Sequence, residues 1–367
     1  MVNIVEILNC GVSRGASDIH LIYRNKPVLR INKELTYLEE FEALTTEDMH
    51  ELYSYFVNGS IEKDKAFKLN KILDVNFELN AKRFRVNISV ADDVPIFTIR
   101  IIQDVLPKFS ELGLPDIVRR TVLHTQGLIL VTGKPNSGKT TTLNALVDEI
   151  NSVENKKILM LETPIEFVHK NKRSLIIQKE VGIGRDCNDF SDGSKNALRE
   201  DCDILVIGEI RDKETMDAAI EMAESGHLVI GTLHTKSCAE TLDRILNFYD
   251  LSDQMTIKFM ISSLLKLVVA QRLMKSKNGG KLLMVPEVMS VDSTIAGLIR
   301  KEKFSKSEVE DAIQTGLDRG NISFMISLAN AVVDDYIDIE EAKKEIDEKN
   351  YELFYRTVNQ IRTKKII

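Results

Sequence analysis

Residues 127–144 read GLILVTGKPNSGKTTTLN, and this stretch leaves few folds open to the chain. Leu128, Ile129, Leu130 and Val131 form an apolar run of strand character that ends at Thr132. Gly133 to Thr140 then fits G-x-x-x-x-G-K-[ST], and Leu143, Leu146, Val147 and Ile150 follow at helical spacing. A chance glycine turn would not bring that order of strand, loop and helix, which is the setting a phosphate loop requires. Gly133 and Gly138 allow backbone N–H groups to turn inward around phosphate oxygens, and the helix start adds the positive end of its dipole. Lys139 suits the β- and γ-phosphates as a point charge, and the Thr140 hydroxyl suits Mg²⁺. The expected nucleotide site is therefore Gly133, Lys134, Pro135, Asn136, Ser137, Gly138, Lys139, Thr140 and Thr141, with ATP and Mg²⁺ as its ligands.

The 367 residues suffice for two or three domains with a sizeable core. A net charge of −7 argues against a chain built to bind nucleic acid. Cys10, Cys187, Cys202 and Cys238 lie far apart with no C-x-x-C pair, so neither zinc nor a disulfide framework is expected. No apolar run approaches the ~18 residues a membrane-spanning helix needs. The opening MVNIVEILN lacks the charged start of a signal peptide. These features predict a cytoplasmic protein.

Residues 1–105 read as an α+β domain. Strand-like alternation occurs at 18–22, 27–31, 74–79, 83–90 and 96–102, and 45–57 has helical spacing behind a Thr45 or Thr46 cap. Asp18 and His20 fit the polar face of a half-buried strand better than a catalytic pair. Leu106-Pro107 and Gly113-Leu114-Pro115 punctuate a linker over 106–115. Residues 116–290 alternate strands (128–132, 157–161, 204–207, 228–232) with helices, which implies a mostly parallel sheet covered on both faces. The stripe over 255–272 predicts one long helix, and 281–288 a strand interrupted at Pro286. Residues 291–367 read as helical, over 294–300, 307–315, 321–335 and 340–360.

In parallel sheets of this kind ligands gather beyond the carboxyl ends of the strands. Glu162, Thr163 and Glu166 follow one strand, Gly208 and Glu209 the next, and His234 the last. One polar residue after a strand is an ordinary loop residue. Three strand ends carrying carboxylates and an imidazole toward a phosphate loop indicate a site.

Further segments narrow the class: Gly15-Ala16-Ser17-Asp18-Ile19-His20-Leu21, Arg83-Phe84-Arg85-Val86-Asn87, Pro164-Ile165-Glu166-Phe167-Val168-His169, Gly208-Glu209-Ile210-Arg211-Asp212 and Gly226-His227-Leu228-Val229-Ile230-Gly231-Thr232-Leu233-His234-Thr235. With them the chain resembles the type IV pilus retraction ATPases, the twitching-motility group of the secretion ATPase superfamily, over residues 4–345 or so. The resemblance implies an α/β protein with a PAS-like N-terminal α+β domain, a RecA-like phosphate-loop ATPase domain and a helical C-terminal extension. It implies a homohexamer, peripheral at the inner face of the cell membrane, working on an inner-membrane pilus platform protein beside a pilus extension ATPase. It also implies roles: Glu162 and Glu166 in an acidic box, Glu209 as the base that polarises water, and His227 and His234 as a pair sensing the γ-phosphate or a neighbour. Arg85 and Arg100 match first-domain arginines that act as fingers on phosphates, and Arg199 matches an arginine of the second domain.

The chain departs from that family in four places. Thr163 replaces the aspartate of the acidic box, Lys134-Pro135-Asn136 replaces Pro-Thr-Gly, and Lys195 replaces an arginine and loses its planar fork. The helix motif A-I-R-N-L-I-R-E becomes Thr294-Ile295-Ala296-Gly297-Leu298-Ile299-Arg300-Lys301. Gly208 stands where many phosphate-loop ATPases carry a metal-binding aspartate. Three alternatives stay open: a pilus-extension or type II secretion motor, a non-hydrolysing regulator of pilus assembly, and a nucleic-acid motor. The first domain begins at once and no four-cysteine module is present, which favours retraction over extension. The acidic balance disfavours nucleic acid.

Overall fold

Alternation in the first hundred residues closes into an antiparallel sheet because every second side chain is apolar. The computed structural model describes residues 3–366 apart from 32, 33, 81, 103–105, 124, 125, 183, 184 and 278–281. The chain divides into two compact units, Met1–Val105 and Leu106–Ile367. In the first, β1 (Asp18–Leu21), β2 (Val28–Ile31), β3 (Glu34–Tyr37), β4 (Leu73–Leu79), β5 (Lys82–Ala91) and β6 (Val94–Ile101) take the order β3-β2-β1-β6-β5-β4. Ile19, Leu21, Phe84, Val86, Ile88, Phe97 and Ile99 share one face and pack with Leu8, Met49, Leu52 and Phe56 of helices Ile4–Ser13 and Thr46–Val57. Thr45 and Asp48 cap the second helix reciprocally. On the other face the register sets Arg30 opposite Asp18, Asp18 opposite Arg100, and Arg100 opposite Arg85.

Three elements add to those the sequence pattern predicts here. β3 is exposed along its length, and the helix Ile61–Asn70 buries only Phe67. With so little apolar surface turned inward, neither leaves a periodic trace. The helix Ile4–Ser13 does carry a stripe, Ile4, Ile7, Leu8 and Gly11.

In the second unit β7 (Gly127–Thr132), β8 (Lys157–Glu162), β9 (Leu175–Glu180), β10 (Ile204–Ile207), β11 (Leu228–Leu233), β12 (Leu265–Lys275) and β13 (Leu282–Ser290) take the order β13-β12-β7-β11-β10-β8-β9. All neighbours run parallel except the β12–β13 hairpin. β7, β10 and β11 are buried throughout, so alternate residues serve two cores. Leu128, Leu130, Leu205 and Val229 cluster with Met216, Ile220 and Leu242 of helices Lys213–Glu224 and Cys238–Leu246. Ile129, Val131, Val206 and Ile230 cluster with Leu143, Leu146 and Val118 of helices Lys139–Val153 and Asp116–Val122. Strands covered on both faces read as unbroken apolar runs.

Residues 255–272 do not form one helix. A helix spans Gln254–Leu264, and the chain then enters β12. A short apolar run such as Leu265-Lys266-Leu267-Val268-Val269-Ala270 does not distinguish a buried helix from a buried strand by periodicity. The edge of β7 decides it, by pairing with this segment. The strand expected over 281–288 is β13; residue 281 lies outside the described residues. Pro286 does not interrupt it but sits opposite Gln271, on an edge strand where a missing N–H is tolerated.

The helix expected over 340–360 is two, Ile339–Lys343 and Tyr351–Ile366. A continuous helix would hold Ala342 and Phe354 about 18 Å apart. The break lets both join one core with Leu328, Val332, Met274 and Val285. The altered motif forms the helix Ser293–Ile299, capped by Asp292 and anchored by buried Ile295 and Ile299. Gly297 costs about 1 kcal/mol there relative to alanine, and Lys301 pairs with Glu308 at 2.9 Å. No described helix is long and apolar enough to cross a membrane.

Candidate functional site

β7 delivers the chain to a loop whose backbone only certain residues can follow. Gly133 has φ +156° and Gly138 φ +84°. A Cβ on Gly133 would lie 2.3 Å from Ser137 Oγ and 2.6 Å from Gln271 O, so glycine is required. Asn136, one of the family departures, takes φ +62°, a left-handed conformation that asparagine tolerates. Helix Lys139–Val153 begins immediately after, with Thr141 half-buried in its first turn.

A chain of polar contacts links three strand ends. The buried Lys139 places Nζ 3.0 Å from Gly133 O, 3.1 Å from Lys134 O and 3.2 Å from His234 Nδ1. Burial lowers its pKa against the opposing pull of Glu209. Because the ammonium only donates, His234 Nδ1 accepts, and Nε2–H donates to Glu209 Oε1 at 2.7 Å. Arg211 holds the other oxygen, Glu209 Oε2, at 2.6 Å. Burial pushes the Glu209 carboxyl up, but the hydrogen bonds from Arg211 and His234 and the Arg211 charge outweigh it and hold the pKa below its ordinary value.

Glu162, at the end of β8, is the opposite case. It is 2% exposed, and burial, with the Glu166 charge adding to it, pushes its pKa up to about 7. Oε1 accepts from Gln178 Nε2 at 2.8 Å, while Oε2 is buried with no hydrogen-bond partner among the described residues. Two carboxylates on one cleft thus differ in protonation near neutral pH, one ionised and one shared between its two forms. Gly208 carries no third one for a steric reason. A Cβ there would sit 2.9 Å from Leu161 O and 3.3 Å from Glu162 Cα.

These groups wall a cleft of about 240 Å³, lined by Pro135, Asn136, Lys139, Thr140, Glu162, Thr163, Glu166, Glu209 and His234 among others. Lys134 and Ser137 line an adjoining hollow behind the loop. His227 is elsewhere: it precedes β11 while His234 follows it, so the six-residue strand separates them, and its ring contacts Ser225 Oγ at 2.9 Å. Arg199 lies exposed beyond the helix Phe190–Ala197, and Lys195 is exposed on that helix. Arg85 and Arg100 belong to the first unit, where they pair with Asp74 at 3.3 Å and Asp18 at 3.0 Å.

Three supporting residues were not foreseen. Gln178 bonds Glu162, donates to Phe167 O at 2.7 Å and accepts from His169 N at 3.0 Å, which fixes the acidic loop. Asn144 donates to Thr140 O at 2.9 Å and meets His169 Nε2 at 2.6 Å. Gln271 donates to Ser137 O at 2.7 Å. Asn144 stands one turn past Thr140 on a legible helix. Gln178 lies on β9, a strand the sequence pattern does not announce, and Gln271 lies where a helix was expected.

Residues 70–364 match the family of type II/IV secretion system proteins. The chain is 36% identical over 343 residues to the type IV pilus retraction ATPase PilT of Pseudomonas aeruginosa, covering 93% of this chain and 97% of that protein. A twitching motility protein of Neisseria gonorrhoeae is 33% identical over 93% of this chain and 90% of its own. The crystal structure of the pilus retraction motor PilT with bound ADP superposes with a TM-score of 0.87 at 33% identity, over 96% of this chain and 99% of that one.

Proposed function

Because this chain belongs to the type II/IV secretion system protein family, we propose that it is an ATP-hydrolysing motor that powers retraction of type IV pili. It is an α/β ATPase with an N-terminal α+β domain and a RecA-like domain extended by C-terminal helices. The observation that carries the reading is the linked set Lys139, His234 and Glu209 on an intact phosphate loop, within a chain similar throughout to a retraction ATPase.

The phosphate chain of ATP occupies the loop, and the Lys139 ammonium exchanges its two loop carbonyls for β- and γ-phosphate oxygens. His234, released on one side, is left beside the γ-phosphate with its other nitrogen on Glu209. Glu209 is ionised and orients the attacking water; its oxygen attacks the γ-phosphorus, the bond to the bridging oxygen breaks, and the carboxylate takes the proton. Thr140 and Glu162, whose Oε2 has no hydrogen-bond partner among the described residues, line that wall and would hold Mg²⁺, which would supply neutralisation of phosphate charge. Gly208 leaves Glu162 and Glu166 as the carboxylates for that task.

The remaining assignments follow the family. Arg85 and Arg100 are arginine fingers, and His227 and Arg199, away from the cleft, serve contacts between copies. The working form is a homohexamer at the inner face of the membrane, acting on the platform protein beside an extension ATPase. A strain lacking the gene tests direction. Retraction requires surface pili to persist or accumulate while twitching is lost; absence of surface pili would make this an extension motor.

A further inference from the structure

We propose that Gln271 is a positioning residue that sets the phosphate loop in its nucleotide-accepting form, an inference that rests on the nucleotide-cleft reading above. Gln271 lies on β12 and is 2% exposed. Its Nε2 donates to Ser137 O at 2.7 Å, a contact 134 residues apart in sequence. In a trans peptide the C=O and the following N–H point in opposite directions. Anchoring Ser137 O on β12 therefore turns the Gly138 N–H away from β12, toward the concave side of the loop where a phosphate oxygen sits. Gly138, at φ +84°, has the freedom to follow, and a Cβ there would come within 3.3 Å of Gln271 Nε2.

The bond is enclosed. Gln271 Oε1 and Ser137 Oγ beside it are both buried without partners among the described residues. The backbone of the same residue presses on the other end of the loop, since Gln271 O is the atom a Gly133 Cβ would meet at 2.6 Å. One residue of β12 thus bears on both glycines of the motif. The next residue, Arg272, bonds Glu345 at 3.0 Å and covers the Phe324 ring at 3.8 Å, so the clamp is tied to the C-terminal helices.

The test compares the full-length wild type with Gln271→Leu and Gln271→Glu, measuring equilibrium binding of a fluorescent ADP analogue between about pH 8 and about pH 5.5. Leucine keeps the bulk but cannot donate, so affinity should fall about tenfold at both ends of the range. The carboxyl of Gln271→Glu can donate to Ser137 O only when protonated, and burial raises the pH at which that happens. Its affinity, divided by the wild-type value at each pH, should be about tenfold weaker at pH 8 and approach the wild type at pH 5.5. KM for ATP should rise in both variants with kcat within about threefold at saturation. A role as mere filling predicts no pH-dependent recovery. Wild-type affinity in Gln271→Leu, or a flat ratio in Gln271→Glu, overturns the proposal. If the leucine variant does not fold, the pH series of the other still decides, because one chain supplies both states. Lys139→Ala runs beside them: if it binds like the wild type, the nucleotide cleft is wrong, whatever Gln271 does.

Discussion

The sheet of the first unit carries charged residues along its strands, whereas the central strands of the second, β7, β10 and β11, carry none. Arg30, Asp18, Arg100 and Arg85 form one cross-strand row on the face opposite the apolar core of that unit. Within β7, β10 and β11 every side chain is buried, and Glu162, Glu209 and His234 appear where the strands stop. An antiparallel sheet open on one side can afford polar residues at every second position; a parallel sheet covered twice has only its ends. Polar function is therefore spread over a row in one unit and concentrated in one cleft in the other. Single substitutions should be severe in the second unit and graded in the first.

The sharpest break is Lys139→Ala. It removes the cation that the loop carbonyls and His234 hold ready for phosphate, so nucleotide affinity falls and hydrolysis is lost. Near-normal phosphate release by this variant would end the phosphate-loop assignment. Next is Glu209→Gln, which keeps size but removes the base: ATP binding is retained and turnover drops by about two orders of magnitude or more. If Glu162→Gln stops turnover and Glu209→Gln does not, the roles of the two carboxylates are reversed.

Glu162 also sharpens the comparison through stability. Its folded pKa is about 7 against an ordinary 4.5, so between these values the folded chain binds more protons than the unfolded one. Stability consequently falls as pH rises from 4.5 to about 7 and stays level above, a loss of about 3 kcal/mol once both states are ionised. Glu162→Gln, melted with chelator and without nucleotide, should exceed the wild type at about pH 8 and coincide with it near pH 4.5. Coincident melts at pH 8 would mean the carboxyl is not desolvated as described.

The smallest effect belongs to the first unit. Arg100→Ala should still bind nucleotide and hydrolyse about tenfold more slowly, less than the ~10³ of a lone finger, because Arg85 stands opposite it in register. A loss as large as that of Glu209→Gln would show that the row is not shared. A rate per protomer that is independent of protein concentration would exclude catalysis across subunits.

Much of the cleft was legible because its parts are local. The phosphate loop, Glu162, Glu209 and His234 each follow an apolar run by one or two residues, and a buried parallel strand marks its own end. Gln178 and Gln271 were not legible. Each acts on a partner more than ten residues away, Glu162 and Ser137, and each sits on a strand that periodicity did not separate from coil or helix. His227 differs in placement. Seven residues from His234 in one motif, it reads as its partner, yet an extended strand carries the two apart.

What the sequence by itself determined is the succession of the strands β7, β8, β10 and β11, the identity of the phosphate loop and the chemistry offered at three strand ends. These depend on short-range pattern: period two, period 3.6, and glycines where φ must be positive. Only the tertiary structure decided that residues 265–275 are a strand, that the segment over 340–360 turns, and that Gly208 has no room for a side chain. Each of those is settled by what lies alongside: the free edge of β7, the shared core of Ala342 and Phe354, and the Leu161 carbonyl. A chain's local preferences are compatible with both outcomes there, and burial against distant neighbours selects one.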